Sequence, residues 1–186
     1  MTYRPRICPY HTLMQHVPQG ARVLDVGCGA GLWLFLLARF RQIAEGVGIE
    51  VDARKVATAN ALRRPDEKLR FLSVDPGDQW PQQEFDSLTM IDVLHHVTPD
   101  HQKPLLQRIA ETSVRRILFK DIDPAMRLRR TMNTLHDLVV THQRPWYRPV
   151  ETVCRWIEEA GFVIREQSWA PMFWYGHYFV VADRAA

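Results

Sequence analysis

The sequence predicts an α/β fold in which a mostly parallel, doubly wound sheet carries helices on both faces. Two observations support this prediction. Segments with the apolar pattern of buried strands alternate with segments of helical spacing along most of the chain, and such alternation makes the helices crossovers between parallel strands. In addition, a glycine-rich stretch lies where the first predicted strand meets the first predicted helix.

The alternating pattern divides the chain into strands and their connecting helices. Compact apolar runs predict strands over 21–28, 46–51, 69–74, 85–93, 116–122, 162–168 and 177–182. Apolar residues at helical spacing predict helices over 31–41, 53–64, 99–113, 124–142 and 150–160. Asp52 is a predicted N-cap and Gly161 a predicted C-terminal stop. Only residues 169–176 separate the last two strands, which are therefore expected to pair antiparallel.

The length of 186 residues fits one domain spanning 1–186. Residues 1–20 lack strong periodicity and are interrupted by prolines, so we expect them to form an N-terminal flap. The segment 124–148 follows the fifth strand and is expected to be a helical insertion on the side where an acceptor substrate enters. No linker, repeat or low-complexity tract divides the chain.

Composition indicates a globular protein of the cytoplasm. The chain is 46% hydrophobic and 24% charged, and its net charge of +3 requires neither a nucleic acid nor a membrane as partner. No apolar run reaches the roughly 18 residues of a membrane span, and the N-terminus lacks the apolar core of a signal peptide. Three scattered cysteines indicate a reducing compartment. We expect a monomer or a homodimer.

The most informative stretch is the loop Gly27-Cys28-Gly29-Ala30-Gly31 after the first strand. Glycines let the backbone turn sharply and approach a ligand closely, and the helix start behind them offers N–H groups to an anionic group. Glu50 ends the second strand, where a carboxylate can accept both hydroxyls of a ribose. The loop and Glu50 together predict a nucleotide-like ligand, although a tight turn without a ligand remains an alternative.

Two details argue against a dinucleotide-dependent oxidoreductase. The third glycine of a Gly-x-Gly-x-x-Gly fingerprint is replaced by Leu32. Asp25 stands two residues before the first glycine, where its carboxylate would repel a pyrophosphate but could hold the ammonium group of a methionine moiety.

With these motifs the chain resembles the class I S-adenosylmethionine (SAM)-dependent methyltransferases, especially those that act on small molecules. The resemblance covers roughly residues 20–183. It implies a Rossmann-like sheet of seven strands with an antiparallel last strand, and a cofactor across the carboxyl ends of strands one to four. A weaker resemblance is to methyltransferases of bacterial aryl-polyene-type pigment or lipid pathways.

The resemblance also implies which residues bind the cofactor. Glu50 would bind the ribose, Asp75 after the third strand would meet the adenine amino group, and Asp92 after the fourth strand would lie near the methionine part. The full predicted set is Asp25, Gly27, Cys28, Gly29, Gly31, Glu50, Val51, Asp75, Pro76 and Asp92.

Candidate catalytic residues are fewer and weaker. His136 lies one residue from Asp137 in the predicted helix 124–142 and is suited to accept a proton as general base, although a solvated helix face is the alternative. Asp121, at the end of the fifth strand, is expected to line the acceptor pocket. His95 is expected to line the site or to act in catalysis.

No metal is predicted. Asp121 and Asp123 at i and i+2 could hold a divalent ion, but the companion acids and asparagine of metal-dependent catechol methyltransferases are not evident. The motifs of DNA-methylating enzymes are absent as well.

The predicted function is therefore methyl transfer from SAM to a small-molecule or acyl-carrier-bound acceptor, at oxygen or carbon, in bacterial-type secondary or lipid metabolism. The product of the donor would be S-adenosylhomocysteine (SAH). The alternative is a non-catalytic partner subunit that binds SAM.

Overall fold

The computed structural model describes residues 8–124, 145–170 and 176–185. The described chain forms two compact units. The first consists of residues 11–91 and 112–118, and the second contains the remaining described residues. The predicted helix 124–142 lies almost entirely outside the described residues.

Seven strands form one sheet in the described part of the chain. Its order is β3-β2-β1-β4-β5-β7-β6. β1 pairs in parallel with β2 and β4, β2 pairs in parallel with β3, and β6 and β7 pair antiparallel. The prediction of a Rossmann-like sheet with an antiparallel last strand is therefore confirmed. The strands are β1 Arg22–Val26, β2 Glu45–Glu50, β3 Leu69–Ser73, β4 Ser87–Ile91, β5 Arg116–Ile122, β6 Phe162–Trp169 and β7 His177–Arg184.

Helices and short 3₁₀ turns connect these strands. Among the described residues the α-helices are α1 Tyr10–Met14, α2 Leu32–Phe40, α3 Ala53–Leu62, α4 Pro99–Gln107 and α5 Val150–Glu159, with 3₁₀ turns at Leu94–His96 and Arg108–Glu111. None of the described helices is long and apolar enough to cross a membrane.

Local signals in the sequence explain where several helices begin and end. Asp52 caps α3, because its side chain accepts the N–H of Arg54 at 3.0 Å. Gly161 follows α5 with a φ of 88°, the left-handed conformation that favours glycine. Helix α1 falls within the predicted N-terminal flap, and its Leu13 is fully buried.

Burial explains why the central strands read as continuous apolar runs. Every residue of β4 is buried, and so are the last four of β1, as expected for strands covered on both faces. By contrast, β6 alternates buried and more exposed residues, because a strand at the edge of the order has one wetter face. Most of the predicted cofactor residues lie at or just after the ends of β1, β2 and β3.

Candidate cofactor site and active site

The loop between β1 and α2 turns through three glycines in the left-handed region. Their φ angles are 72° at Gly27, 57° at Gly29 and 82° at Gly31. The N–H groups of Gly27 and Cys28 donate to the carbonyl oxygen of Ile49, at 2.8 and 3.1 Å. The loop is therefore tied to the end of β2, which brings Glu50 to it.

Two of these glycines are required for different reasons. A Cβ built on Gly29 would meet no atom within 4 Å, so this glycine faces open space that a ligand can fill. A Cβ on Gly31 would lie 2.7 Å from the ring of Phe71, so this glycine serves packing between the helix start and β3. The open space at Gly29 fits the close approach of a ligand that the sequence predicts.

Glu50 is 8% exposed, and the loop holds its carboxylate in place. Oε2 accepts the N–H of Gly29 at 3.0 Å, while Oε1 accepts the N–H groups of Val51 and Asp52 at 3.0 and 3.1 Å. The ammonium of Lys55 lies 3.8 Å from Oε2. A carboxylate has about four lone-pair positions, so Glu50 can accept a ribose hydroxyl in addition to these three amides.

Asp25 is also buried, at 3% exposure. It lies on β1 opposite Gly48 of β2 and Thr89 of β4, and its Oδ1 accepts the hydroxyl of Thr89 at 2.7 Å. A buried carboxylate in this position favours a cationic group nearby, as the ammonium of a methionine moiety would supply.

The predicted adenine-side residues are on the surface. Val51 is 58% exposed, and Asp75 and Pro76 are exposed as well. The turn after β3 is capped by Asp78, whose Oδ2 accepts the N–H of Asp75 at 3.0 Å. Because Asp78 provides the cap, the Asp75 carboxylate is not needed for the turn.

Cys28 lies inside the loop and is 8% exposed. Burial raises the pKa of its thiol far above the ordinary value, and the charges of Asp25 and Glu50 raise it further. The Cys28 side chain therefore stays a neutral thiol that packs against the loop.

In the second unit His95 and Asp121 form a buried pair. His95 Nδ1 lies 2.5 Å from Asp121 Oδ1, and the backbone N–H of His95 donates to Asp121 Oδ2 at 3.2 Å. The N–H of Ile122 donates to Oδ1 at 2.7 Å. Both side chains are 4% exposed. A carboxylate at Nδ1 fixes the tautomer that places the proton there, which makes Nε2 the basic nitrogen.

Asp92 and Lys120 form a second pair beside the first. Asp92 follows β4 with a φ of 58°, and its Oδ1 lies 2.5 Å from Nζ of Lys120, a side chain without exposed surface. Ligand atoms of Asp92, His95 and Asp121 lie within 4.8 Å of one another, close enough to hold one metal ion. The Lys120 ammonium already neutralises one of the two carboxylates, and the expected absence of a metal remains a prediction.

The structure brings together two of the three predicted catalytic residues, His95 and Asp121. The third, His136, lies outside the described residues. Asp123 is not in the group formed by Asp92, His95 and Asp121, and its Oδ2 accepts the indole N–H of Trp169 at 3.0 Å. Sequence reasoning missed both pairs. The signal was the placement of Asp92 and Asp121 at the ends of β4 and β5, which are neighbours in the sheet order.

The fold is a Rossmann-like domain, and a glycine turn and a buried acid lie at the ends of its adjacent parallel strands β1 and β2, an arrangement that fits a ribose-bearing ligand. The chain belongs to the methyltransferase domain family, whose model matches residues 4–167. The prediction of a class I SAM-dependent methyltransferase domain is thereby confirmed.

Curated relatives are similar to part of the chain. A ubiquinone biosynthesis O-methyltransferase of Paracidovorax citrulli is 38% identical over 84 residues, which is 44% of this chain and 35% of the relative. The enzyme of the same name from Alkalilimnicola ehrlichii is 35% identical over 83 residues, 44% of this chain and 33% of the relative. The matches therefore span about a third of the length of these relatives.

Solved structures share the fold at low identity. The magnesium protoporphyrin IX methyltransferase of Synechocystis with bound SAH has a TM-score of 0.76 at 18% identity, with 95% of this chain and 82% of that chain covered. A SAM-dependent methyltransferase of Mesorhizobium loti has a TM-score of 0.73 at 19% identity, with coverage of 94% and 96%.

Proposed function

We propose that the protein transfers the methyl group of SAM to a hydroxyl oxygen of a small-molecule or carrier-bound acceptor. The observation that carries the proposal is the buried pair of His95 and Asp121, which has the arrangement of a general base and the acid that orients it. Acceptors from secondary or lipid metabolism are the first to test, and the alternative of C-methylation is an outcome of that test.

The residues of the first unit fit the cofactor. Glu50 would accept a ribose hydroxyl, the open space at Gly29 would let the ligand approach the loop backbone, and buried Asp25 would pair with the methionine ammonium. Exposed Val51 and Asp75 would contact the adenine. When bound, SAM supplies a methyl group on a positively charged sulfur, which needs no acid to activate it.

His95 would act on the acceptor. With Nδ1–H bonded to Asp121, the imidazole takes the proton of an acceptor hydroxyl at Nε2, so that the O–H bond breaks as the oxygen gains its methyl group. The Asp121 carboxylate then balances the imidazolium charge. Backbone N–H groups of His95 and Ile122 hold that carboxylate, so it does not move during the proton transfer.

The named relatives support oxygen as the methylated atom. Both are O-methyltransferases of ubiquinone biosynthesis, although they match less than half of this chain. An acceptor that must lose a proton needs a base, whereas a carboxylate acceptor is already ionised. A buried base held by a carboxylate therefore favours a phenol, a catechol or another hydroxyl over a carboxylic acid.

The cofactor half is tested by calorimetry with SAH. Glu50→Gln keeps the size of the side chain but turns one carboxylate oxygen into an amide, so SAH affinity should fall about ten-fold to a hundred-fold, the effect of losing a charged hydrogen-bond acceptor. Glu45→Gln is the control and should leave the affinity unchanged. Glu45 lies at the other end of β2, and in the described structure it pairs only with exposed Arg70. Absence of SAH binding to the unaltered protein would refute the proposal.

The acceptor half is tested with methyl-labelled SAM and matched acceptors. Catechols and phenols are compared with benzoic acids of the same substitution pattern, and a host extract supplies carrier-bound acceptors. Label should appear on the hydroxyl compounds. Label on carboxylic acids alone contradicts the hydroxyl proposal, and SAM binding without product from any source favours the non-catalytic partner subunit.

A further inference from the structure

Gln102 lies in α4, has no exposed surface and takes no part in the proposed chemistry. Its amide nitrogen Nε2 nevertheless donates to three backbone carbonyl oxygens, those of Leu94 at 2.9 Å, Val97 at 3.1 Å and Trp146 at 2.7 Å. Because Nε2 carries two hydrogens, the three acceptors share them. One side chain thus bonds the first residue of the 3₁₀ turn that contains His95 and the residue that follows this turn.

Arg148 fixes the orientation of this amide. Its Nε donates to Gln102 Oε1 at 2.5 Å. A guanidinium can only donate and backbone carbonyls can only accept, so the amide oxygen must face Arg148 and the amide nitrogen must face the three carbonyls. The charge on Arg148 strengthens its bond, and the side chain has one orientation that satisfies all four partners.

The backbone of Trp146 links Gln102 to His95. Its N–H donates to the carbonyl oxygen of His95 at 2.7 Å, while its own carbonyl accepts from Gln102. The turn at 94–97 is consequently bound through the carbonyls of Leu94, His95 and Val97. With the His95 carbonyl held in this way, the direction of its side chain depends on these bonds.

We propose that Gln102 is a positioning residue for His95. Asp121 accepts both the ring Nδ1–H and the backbone N–H of His95, and the two bonds form together only while the 94–97 turn keeps its place. Gln102 keeps it there. The inference rests on the proposed function only for the catalytic role of His95, because the hydrogen bonds themselves belong to the protein without an acceptor.

The test reads the His95–Asp121 bond directly. A hydrogen-bonded imidazole Nδ1–H gives a proton resonance far downfield of the amide region in the NMR spectrum, and its disappearance in His95→Asn identifies it. Gln102→Glu keeps the shape but presents lone pairs to three carbonyls, and Gln102→Met keeps the length without any donor. Lys103→Gln, next along α4 and in an exposed pair with Glu159, is the matched control.

Both Gln102 variants should lose or broaden the His95 resonance, while Lys103→Gln keeps it. SAH affinity should stay within about two-fold in all three variants, because neither Gln102 nor Lys103 is among the predicted cofactor residues. In the acceptor assay the Gln102 variants should lose turnover by about a hundred-fold, the cost of a misplacement near 1 Å. An unchanged His95 resonance in folded Gln102 variants overturns the inference.

Arg148→Met provides a second route if the Gln102 variants do not fold. It removes the donor that orients the amide and leaves Gln102 in place, so the His95 resonance should shift or broaden, and an unchanged resonance again overturns the inference. Failure of the unaltered protein to bind SAH refutes the proposed function instead, and the comparison of resonances still decides the role of Gln102.

Discussion

Asp121 forms two hydrogen bonds with His95: Oδ1 lies 2.5 Å from the ring Nδ1, and Oδ2 accepts the backbone N–H at 3.2 Å. The acid therefore fixes the ring and the main chain of the same residue. The arrangement defines which nitrogen carries the proton and which one can take a proton from an acceptor.

Asp121→Asn should reduce methyl transfer by about a hundred-fold to ten-thousand-fold, the usual contribution of a positioned base. The amide keeps the shape of the carboxylate but cannot balance an imidazolium charge. Initial rates with labelled SAM measure the loss, and calorimetry with SAH should show unaltered binding. Asp123→Asn is the control, since Asp123 bonds the Trp169 indole instead. Equal rates for the two variants would contradict the role of Asp121.

Gly29→Ala and Gly31→Ala should separate ligand binding from stability. Both positions have a left-handed φ, which costs an alanine roughly 1–2 kcal/mol. At Gly29 the new methyl group enters open space, so SAH affinity should fall more than stability does. At Gly31 the methyl group would lie 2.7 Å from the Phe71 ring, so stability should fall more than SAH affinity does. Urea unfolding and calorimetry measure both quantities, and the opposite order would refute the assignment of Gly29 to the ligand.

Lys120→Met should lower the free energy of unfolding by about 3–5 kcal/mol, because it leaves a carboxylate without its buried partner. Lys120 has no exposed surface, and its Nζ lies 2.5 Å from Asp92. The double variant Lys120→Met/Asp92→Asn should recover much of the loss, since the uncompensated charge is gone. Urea unfolding measures these changes. Lys103→Met, which breaks an exposed pair, should cost less than about 1 kcal/mol. If Lys120→Met lost no more stability than Lys103→Met, the pair of Lys120 and Asp92 would not be important for folding.

Stability at alkaline pH should depend on Cys154. Burial, together with the charges of Glu158 and Glu151, raises the pKa of its thiol to about 11. The folded state then keeps a proton that the unfolded chain releases near the ordinary value of 9.0. This contribution is complete below pH 9 and is lost as the pH rises from 9 towards 11.

The Cys154→Ser variant provides the measurement. Serine does not titrate in this range, so the free energy of unfolding should fall less between pH 8 and pH 10 than it does in the unaltered protein. Urea unfolding at both pH values gives the difference. Equal slopes in the two proteins would show that the Cys154 thiol does not contribute.

The sheet and the glycine loop could be predicted because each follows from a local pattern in the sequence, namely apolar runs for the strands and closely spaced glycines for the loop. Apolar runs end at glycine, proline or a capping residue, as Asp52 illustrates, and the strand bounds follow from them. The loop glycines follow β1 and Glu50 ends β2. Because these two strands are neighbours in the sheet, the glycines and the carboxylate lie close together. The resemblance to a known family then supplied the chemistry.

The pairs of the second unit could not be predicted in the same way. His95 and Asp121 are 26 residues apart, and nothing in their local sequence distinguishes a buried acid that orients a histidine from an acid that lines a pocket. The same holds for Gln102, since a polar residue in a helix is usually solvated and only packing shows its amide to be buried. Such contacts follow from three-dimensional packing, which no periodicity records.

The state of the Cys28 thiol has a consequence for inhibitor design. A cysteine in a cofactor loop invites electrophilic compounds that form a covalent bond with sulfur, yet such reagents need a thiolate. Burial and the neighbouring charges of Asp25 and Glu50 keep this sulfur protonated. If the proposed function holds, compounds that compete with the methyl donor at this loop would have to bind through reversible contacts.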